Sequence, residues 1–240
     1  MKEIGRHEWK PILNAEILQD TKPTDGEVVP GFKAIGGGTW TVTNGLLEGR
    51  ASSEANEPNG MLYSTKHYTN ATFRIVYRFN AGDSGFFVRS QITDAKPFVK
   101  GVQCEIDESP QVAGLYQTGG KGWLAEPLHY LEPRFPPDRR DVVRSRWEQA
   151  RRGTKLDQMK VKQVVPATDT DKATGIESAP WQTMVVVIDG KRIVTHLNGC
   201  LAADYVVDDL ADSGVIAFQL HGNQDLEIDF KSLEILEAVK

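Results

Sequence analysis

The 240-residue chain reads as all-β, an antiparallel β-sandwich or jelly roll, on three observations. Short runs of alternating apolar and polar residues recur along most of it, glycine punctuates them, and a helical pattern is confined to one stretch. No fixed-period repeat is present. Residues 1–38 are rich in Gly, Pro and Asp and end in Gly36-Gly37-Gly38, which predicts an irregular entry segment with a short strand at most. The pattern then changes. Trp40-Thr41-Val42-Thr43 and Leu46-Leu47-Glu48-Gly49 flank Asn44-Gly45, whose tolerance of positive φ suits a tight hairpin turn. Further strands are expected at 60–64, 72–79, 85–91, 101–107 and 114–117, then at 182–189, 192–198, 214–221 and 226–234. Asp189-Gly190 marks a second hairpin between two of these.

The stretch 131–180 interrupts the β rhythm as a partly helical insertion. Residues 138–152 predict an amphipathic helix with Asp138 as N-cap and Val143 and Trp147 four apart on one side. Its arginines read as a solvated face, and a charged insertion carrying a Trp is a candidate lid over a neighbouring site. Residues 168–178 are polar and read as a loop. Apolar residues make up 40% of the chain, enough to bury a sizeable core, and residues 1–240 are expected to form one sandwich domain.

The net charge of −5 and a pI of about 5.6 argue against a nucleic-acid binder and favour a neutral polar ligand. No apolar run approaches the roughly 20 residues of a membrane-spanning helix, and the first fourteen residues lack the apolar core of a signal peptide. Two cysteines cannot make a disulfide scaffold. Cys104 and Cys200 read as unpaired thiols outside any zinc-like spacing.

The most informative stretch chemically is Gly101-Val102-Gln103-Cys104-Glu105-Ile106-Asp107. On a strand, Val102, Cys104 and Ile106 point to one face and Gln103, Glu105 and Asp107 to the other, with the two carboxylates about 7 Å apart. The same division sets Phe87, Arg89 and Gln91 against Phe86, Val88 and Ser90, and Ala217, Gln219 and His221 against Ile216, Phe218 and Leu220. If the three strands are neighbours, Arg89, Gln103, Glu105, Asp107, Gln219 and His221 converge on a concave floor. Arg89 paired with Glu105 or Asp107 reads equally well as a structural ion pair. A divalent cation held by Glu105, Asp107 and His221 is chemically reasonable, although their spacing is not diagnostic. His196, beside an Asn-Gly turn, reads as structural, and His7, His67 and His129 lack supporting neighbours.

The ordered succession of these motifs resembles a known family, the 3-keto-disaccharide hydrolase or 3-keto-glycoside hydrolase-like domain, formerly a domain of unknown function. The resemblance rests on Trp40 to Leu47, Asp83-Ser84-Gly85 running to Arg89, Gly101 to Asp107, Gly114-Leu115-Tyr116 and Gly122-Trp123-Leu124. It continues through Trp181, His196 to Gly199 and Gly214 to His221, covering about residues 39–235. Asp83 stands where the family usually has Asn, Val102 replaces an aromatic, and the insertion at 131–180 looks longer than usual. The resemblance implies a concanavalin-like jelly roll and a bacterial periplasmic or secreted setting. It also implies cleavage of glycosides oxidised to a ketone at C3, by C2 proton abstraction, β-elimination of the C1 substituent and hydration.

On that chemistry Arg89 is expected to face the enolate oxygen, and Glu105 or His221 to be the base, with the other serving the leaving group. Gln103 and Asp107 are expected to hold sugar hydroxyls or orient His221, Gln219 to bind substrate, and Tyr116 or Trp123 to stack on a ring. The alternative is a non-catalytic, lectin-like carbohydrate-binding module, which needs aromatics and amides but no acid–base cluster. A conventional glycosidase fits less well, because Glu105 and Asp107 lie on one strand rather than flanking a cleft.

Overall fold

The computed structural model describes residues 8–152 and 179–237. The entry segment is more ordered than its composition predicts. It forms β1 (Lys10–Leu13), helix α1 (Ala15–Asp20) and β2 (Phe32–Gly36). Asn14 caps α1 by accepting a hydrogen bond from the Ile17 amide at 2.9 Å. Strands β3 (Thr39–Thr43) and β4 (Leu46–Ala51) follow, joined by Asn44 and Gly45, both at positive φ, as the type I′ turn requires. Next come β5 (Gly60–Ser64), β6 (Ala71–Ala81), β7 (Ser84–Ile92), β8 (Val99–Ile106), β9 (Leu115–Thr118) and β10 (Gly122–Ala125).

Helices α2 (Pro127–Leu131) and α3 (Pro137–Arg151) begin the insertion, and the loop expected at 168–178 lies outside the described residues. The chain then runs through β11 (Gln182–Asp189), β12 (Arg192–Leu197), β13 (Cys200–Val206), β14 (Val215–Leu220) and β15 (Leu226–Glu237). The second hairpin turns one residue later than the sequence suggests: Asp189 pairs Arg192, so Gly190 and Lys191 make the turn, with only Gly190 at positive φ.

The strands form two sheets. One runs β13-β12-β11-β6-β15-β4-β3, with β1 also pairing β15, and the other runs β10-β9-β8-β7-β14-β5-β2. The strand pairings in both are antiparallel, and the sheets pack face to face as a sandwich. Phe73, Ile75 and Phe230 from the first sheet meet Phe86, Val88, Cys104 and Phe218 from the second, all buried. Phe218 and Phe230 join the sheets with ring centroids 4.2 Å apart, and Phe86 lies 5.3 Å from Phe218. On the outer side of the first sheet, buried Asp229 is held between Arg50 at 2.7 Å and Arg78 at 2.6 Å. The outer side of the second sheet instead carries a smaller apolar cluster of Met61, Phe87, Val99 and Ala217.

Helix α3 begins at Pro137 with Pro136 as its N-cap, which places Asp138 in the first turn rather than at the cap. Trp147 and Ala150 are its buried residues. The Trp147 indole donates to the Pro110 carbonyl at 3.0 Å, and Arg151 donates to the Glu108 carbonyl at 2.8 Å. Trp147 therefore roots the helix in the core beside the turn after β8 and is not the face of a lid.

Candidate functional site

The three strands expected to be neighbours are neighbours: β8 pairs β7 and β7 pairs β14. Gln103 lies opposite Phe87, Phe87 opposite Ala217, and Ala217 opposite Tyr63. On the other side Gln103 lies opposite Tyr116, and Tyr116 opposite Trp123. Cross-strand partners share a face, so one row carries Trp123, Tyr116, Gln103 and Phe87 across the outer side of the second sheet. Tyr116 and Trp123 meet edge to face at 5.5 Å, and Trp123 is 37% exposed. The two aromatics proposed to stack on a ring are thus placed beside the amide and acid of β8.

One step along the strands, Glu105 lies opposite Gly85, and the same register carries β14 from Phe218 to Gln219. Glycine at 85 puts no side chain between Glu105 and Gln219. A Cβ there would sit 3.3 Å from the Gln103 side chain. Gln103 donates from Nε2 to Glu105 Oε2 at 2.8 Å and accepts from Thr118 Oγ1 at 3.5 Å, which fixes its amide orientation. Gln219 is buried, its Oε1 has no partner among the described residues, and Ser84 holds its backbone by donating to the Gln219 carbonyl at 2.7 Å.

Sequence reasoning missed Asp83 as a site residue. It sits just before β7, where its carboxyl group hydrogen-bonds Glu105 and its carbonyl accepts the His221 amide at 3.3 Å. Its Oδ1 is buried without a hydrogen-bond partner among the described residues. Burial first, then the charge of Asp83, pushes Glu105 up to about 9, so at neutral pH Glu105 is the protonated member of the pair. Burial also raises Asp83, while the hydrogen bond from Glu105 and the field of His221 act the other way. The available signal was the departure at this position: an acid where the family usually has Asn.

His221 is exposed, and its Nδ1 lies 3.1 Å from the Gly222 carbonyl. A carbonyl only accepts, so this contact requires a proton on Nδ1 and leaves Nε2 unprotonated in the neutral ring. Asp83, Glu105 and His221 thus assemble a shared proton and a free imidazole nitrogen at one end of the sheet.

Two expected members of the floor point elsewhere. A β-bulge between Val88 and Gln91 puts Arg89 at a φ of 42° and breaks the alternation on which its placement rested. Its guanidinium donates to the carbonyls of Gly190 at 2.7 Å, Thr69 at 3.2 Å and Ala211 at 3.3 Å, and to Asn70 Oδ1. It ties loops together at the opposite end of the strands and pairs with neither Glu105 nor Asp107. Asp107 follows the last residue of β8, and it accepts from the Ser109 hydroxyl at 2.6 Å and amide at 3.1 Å, closing a turn. Among the described residues no three His, Cys, Asp or Glu side chains gather as a metal-binding group, so Glu105, Asp107 and His221 are not a ligand set here. His196 is half-buried on β12, where burial lowers its pKa, and His129 is exposed on α2; His7 lies outside the described residues.

Among solved structures, the carbohydrate-binding module CBM66 from Bacillus subtilis is 15% identical with a TM-score of 0.52, over 86% of this chain and 96% of the module. A provisionally named glycosyl hydrolase from Parabacteroides distasonis ATCC 8503 is 16% identical with a TM-score of 0.51, over 96% of this chain and 100% of that one. A Bacillus subtilis protein of galectin-like fold and unknown function is 9% identical with a TM-score of 0.56, over 97% and 100%. At these identities the likeness is one of fold, a jelly-roll sandwich of the lectin type. Comparison with curated proteins finds no match. The sequence model of the 3-keto-alpha-glucoside-1,2-lyase-like domain matches residues 8–236, and the chain belongs to that family.

Proposed function

We propose that the protein cleaves 3-keto glycosides by elimination followed by hydration, with His221 as base and Glu105 as acid. The ketone at C3 acidifies the C2 proton. His221 Nε2 takes that proton, the electron pair passes to the C3 oxygen as an enolate, and its return forms the C1=C2 bond as the C1–O bond breaks. The departing oxygen takes the proton of Glu105. In the second half, the Glu105 carboxylate removes a proton from water as its oxygen bonds to C1, and the His221 imidazolium protonates C2. Both groups return to their starting states and the net reaction is hydrolysis. Gln219, a buried amide two residues before His221, would donate from its nitrogen to the C3 oxygen in the role first expected of Arg89. Tyr116 and Trp123 would carry the neighbouring ring.

The observation that carries this reading is the buried Asp83–Glu105 pair, where burial first and the Asp83 charge second keep Glu105 protonated, close to a histidine whose Nδ1 meets the Gly222 carbonyl. The second reading is a carbohydrate-binding module without chemistry, favoured by the edge-to-face Tyr116–Trp123 pair, whose Trp123 is exposed. The test is to incubate the protein, with and without chelator, with a 3-keto disaccharide and with its unoxidised parent. Release of reducing sugar from the keto substrate alone supports elimination. Binding of both sugars without cleavage of either supports the module.

A further inference from the structure

At the end of the second sheet opposite Glu105, about 13 Å away along β8 at strand rise, lies an open cavity of about 890 Å³. Thr118 and Tyr63 form part of its lining, so it continues the row of Gln103 and Phe87 rather than standing apart from it. Its charge is opposite to that of the acid end. Lys33, Lys100, His67 and Arg89 line it, against a single carboxylate, Asp209.

Those charges are not equally committed. Asp209 already accepts from Gln117 at 3.1 Å and Lys121 at 3.4 Å, and the Arg89 guanidinium is spent on carbonyls. Lys33 acts on Glu27 through space, but among the described residues neither Lys33 nor Lys100 forms an ion pair, and His67 is exposed without a partner. The cavity wall is fixed in advance. Arg89 holds the Ala211 carbonyl, Lys191 holds the Leu210 carbonyl, and Gly214 exchanges both backbone bonds with Tyr68 at 2.7 and 3.1 Å. In a chain of net charge −5, a rigid hollow with two uncommitted ammonium groups is the place where an anion gains most.

We propose that this cavity is the leaving-group subsite and that it takes an anionic substituent, the carboxylate of a uronate or the phosphate of a sugar phosphate. The assignment rests on reading the Glu105 end as the reacting end, so that the glycone lies over Glu105 and His221 and the departing group extends along β8 toward Lys33 and Lys100. The test uses the full chain and a Lys33→Gln/Lys100→Gln variant, titrated calorimetrically with glucuronate, glucose 6-phosphate and glucose. The expected result is that one or both anions bind more tightly than glucose, weaken with added salt and lose about tenfold in the variant, while glucose is unaffected. Which anion responds identifies the source. Glucose binding as tightly as both anions, or anion binding that is the same in the variant, overturns the proposal.

A second arm separates the two ideas. On 3-keto disaccharides the variant is expected to lose about tenfold in kcat/KM when the leaving group is glucuronate and nothing when it is glucose. Cleavage with no loss on the acidic substrate sinks the subsite alone. Anion binding without cleavage of any keto substrate sinks the catalytic reading and leaves an anion site.

Discussion

Replacing Asp83 by Asn removes a charge and a hydrogen bond that both raise Glu105, so the Glu105 proton should be lost at lower pH. The alkaline limb of the pH–rate profile on a 3-keto glycoside is therefore expected to move downward in Asp83→Asn, which a merely structural Asp83 would not cause. Glu105→Gln removes the acid itself and should cost about 10² to 10⁴ in rate. The same residue leaves a mark on stability. Its folded pKa lies above the unfolded one, so the native state binds the proton more tightly, and that contribution is lost as pH rises from the ordinary carboxylate range toward about 9. Glu105→Gln stays neutral throughout, so its melting temperature relative to the parent should be more favourable at pH 8 than at pH 4. An equal difference at both values would count against the shift. Glu105, Gln103 and Gln219 were legible from strand alternation, because β8 and β14 keep their period there. Asp83 was not, since it precedes its strand and acts through a carboxyl pair that only the fold brings together.

Arg89 was misplaced for a reason at the scale of its strand. Alternation assumes an unbroken ladder, and the bulge after Val88 turns the side chain toward the loops at 69–70, 190 and 211. Arg89→Met removes the charged hydrogen bonds that link the loops at 69–70, 190 and 211 and should cost about 1.5 to 3 kcal/mol in denaturant unfolding while the folded fraction keeps the parental pH–rate profile. A large fall in kcat at unchanged stability would restore the expected catalytic role. Trp147 makes the parallel case for α3. Trp147→Ala should lose about 3 to 5 kcal/mol, because it empties a fully buried site and strands the Pro110 carbonyl. Both hairpins announced themselves through Asn-Gly and Asp-Gly, whereas β10 spans only four residues with a register shift against β9, and β13 carries a shift against β12. Strands β1 and β2 are short and lie in a Gly- and Pro-rich segment, so only pairing with β15 and β5 defines them.

Across the whole molecule the second sheet is polarised along its strands, with a proton-sharing pair of acids at one end and uncommitted lysines at the other. The sandwich was legible from many short alternating strands. The order β8-β7-β14 was not, because antiparallel pairing across more than a hundred residues leaves no local signal. That order is what turns three separate polar faces into one surface. C2 proton removal is the central step, and a 3-keto disaccharide deuterated at C2, cleaved in ordinary water and analysed early in turnover, tests it directly. His221 is exposed, so the deuteron it accepts should exchange with solvent before C2 is reprotonated, and the released 3-keto sugar should have lost its label. Cleavage with the C2 deuterium retained would contradict elimination and require direct displacement at C1.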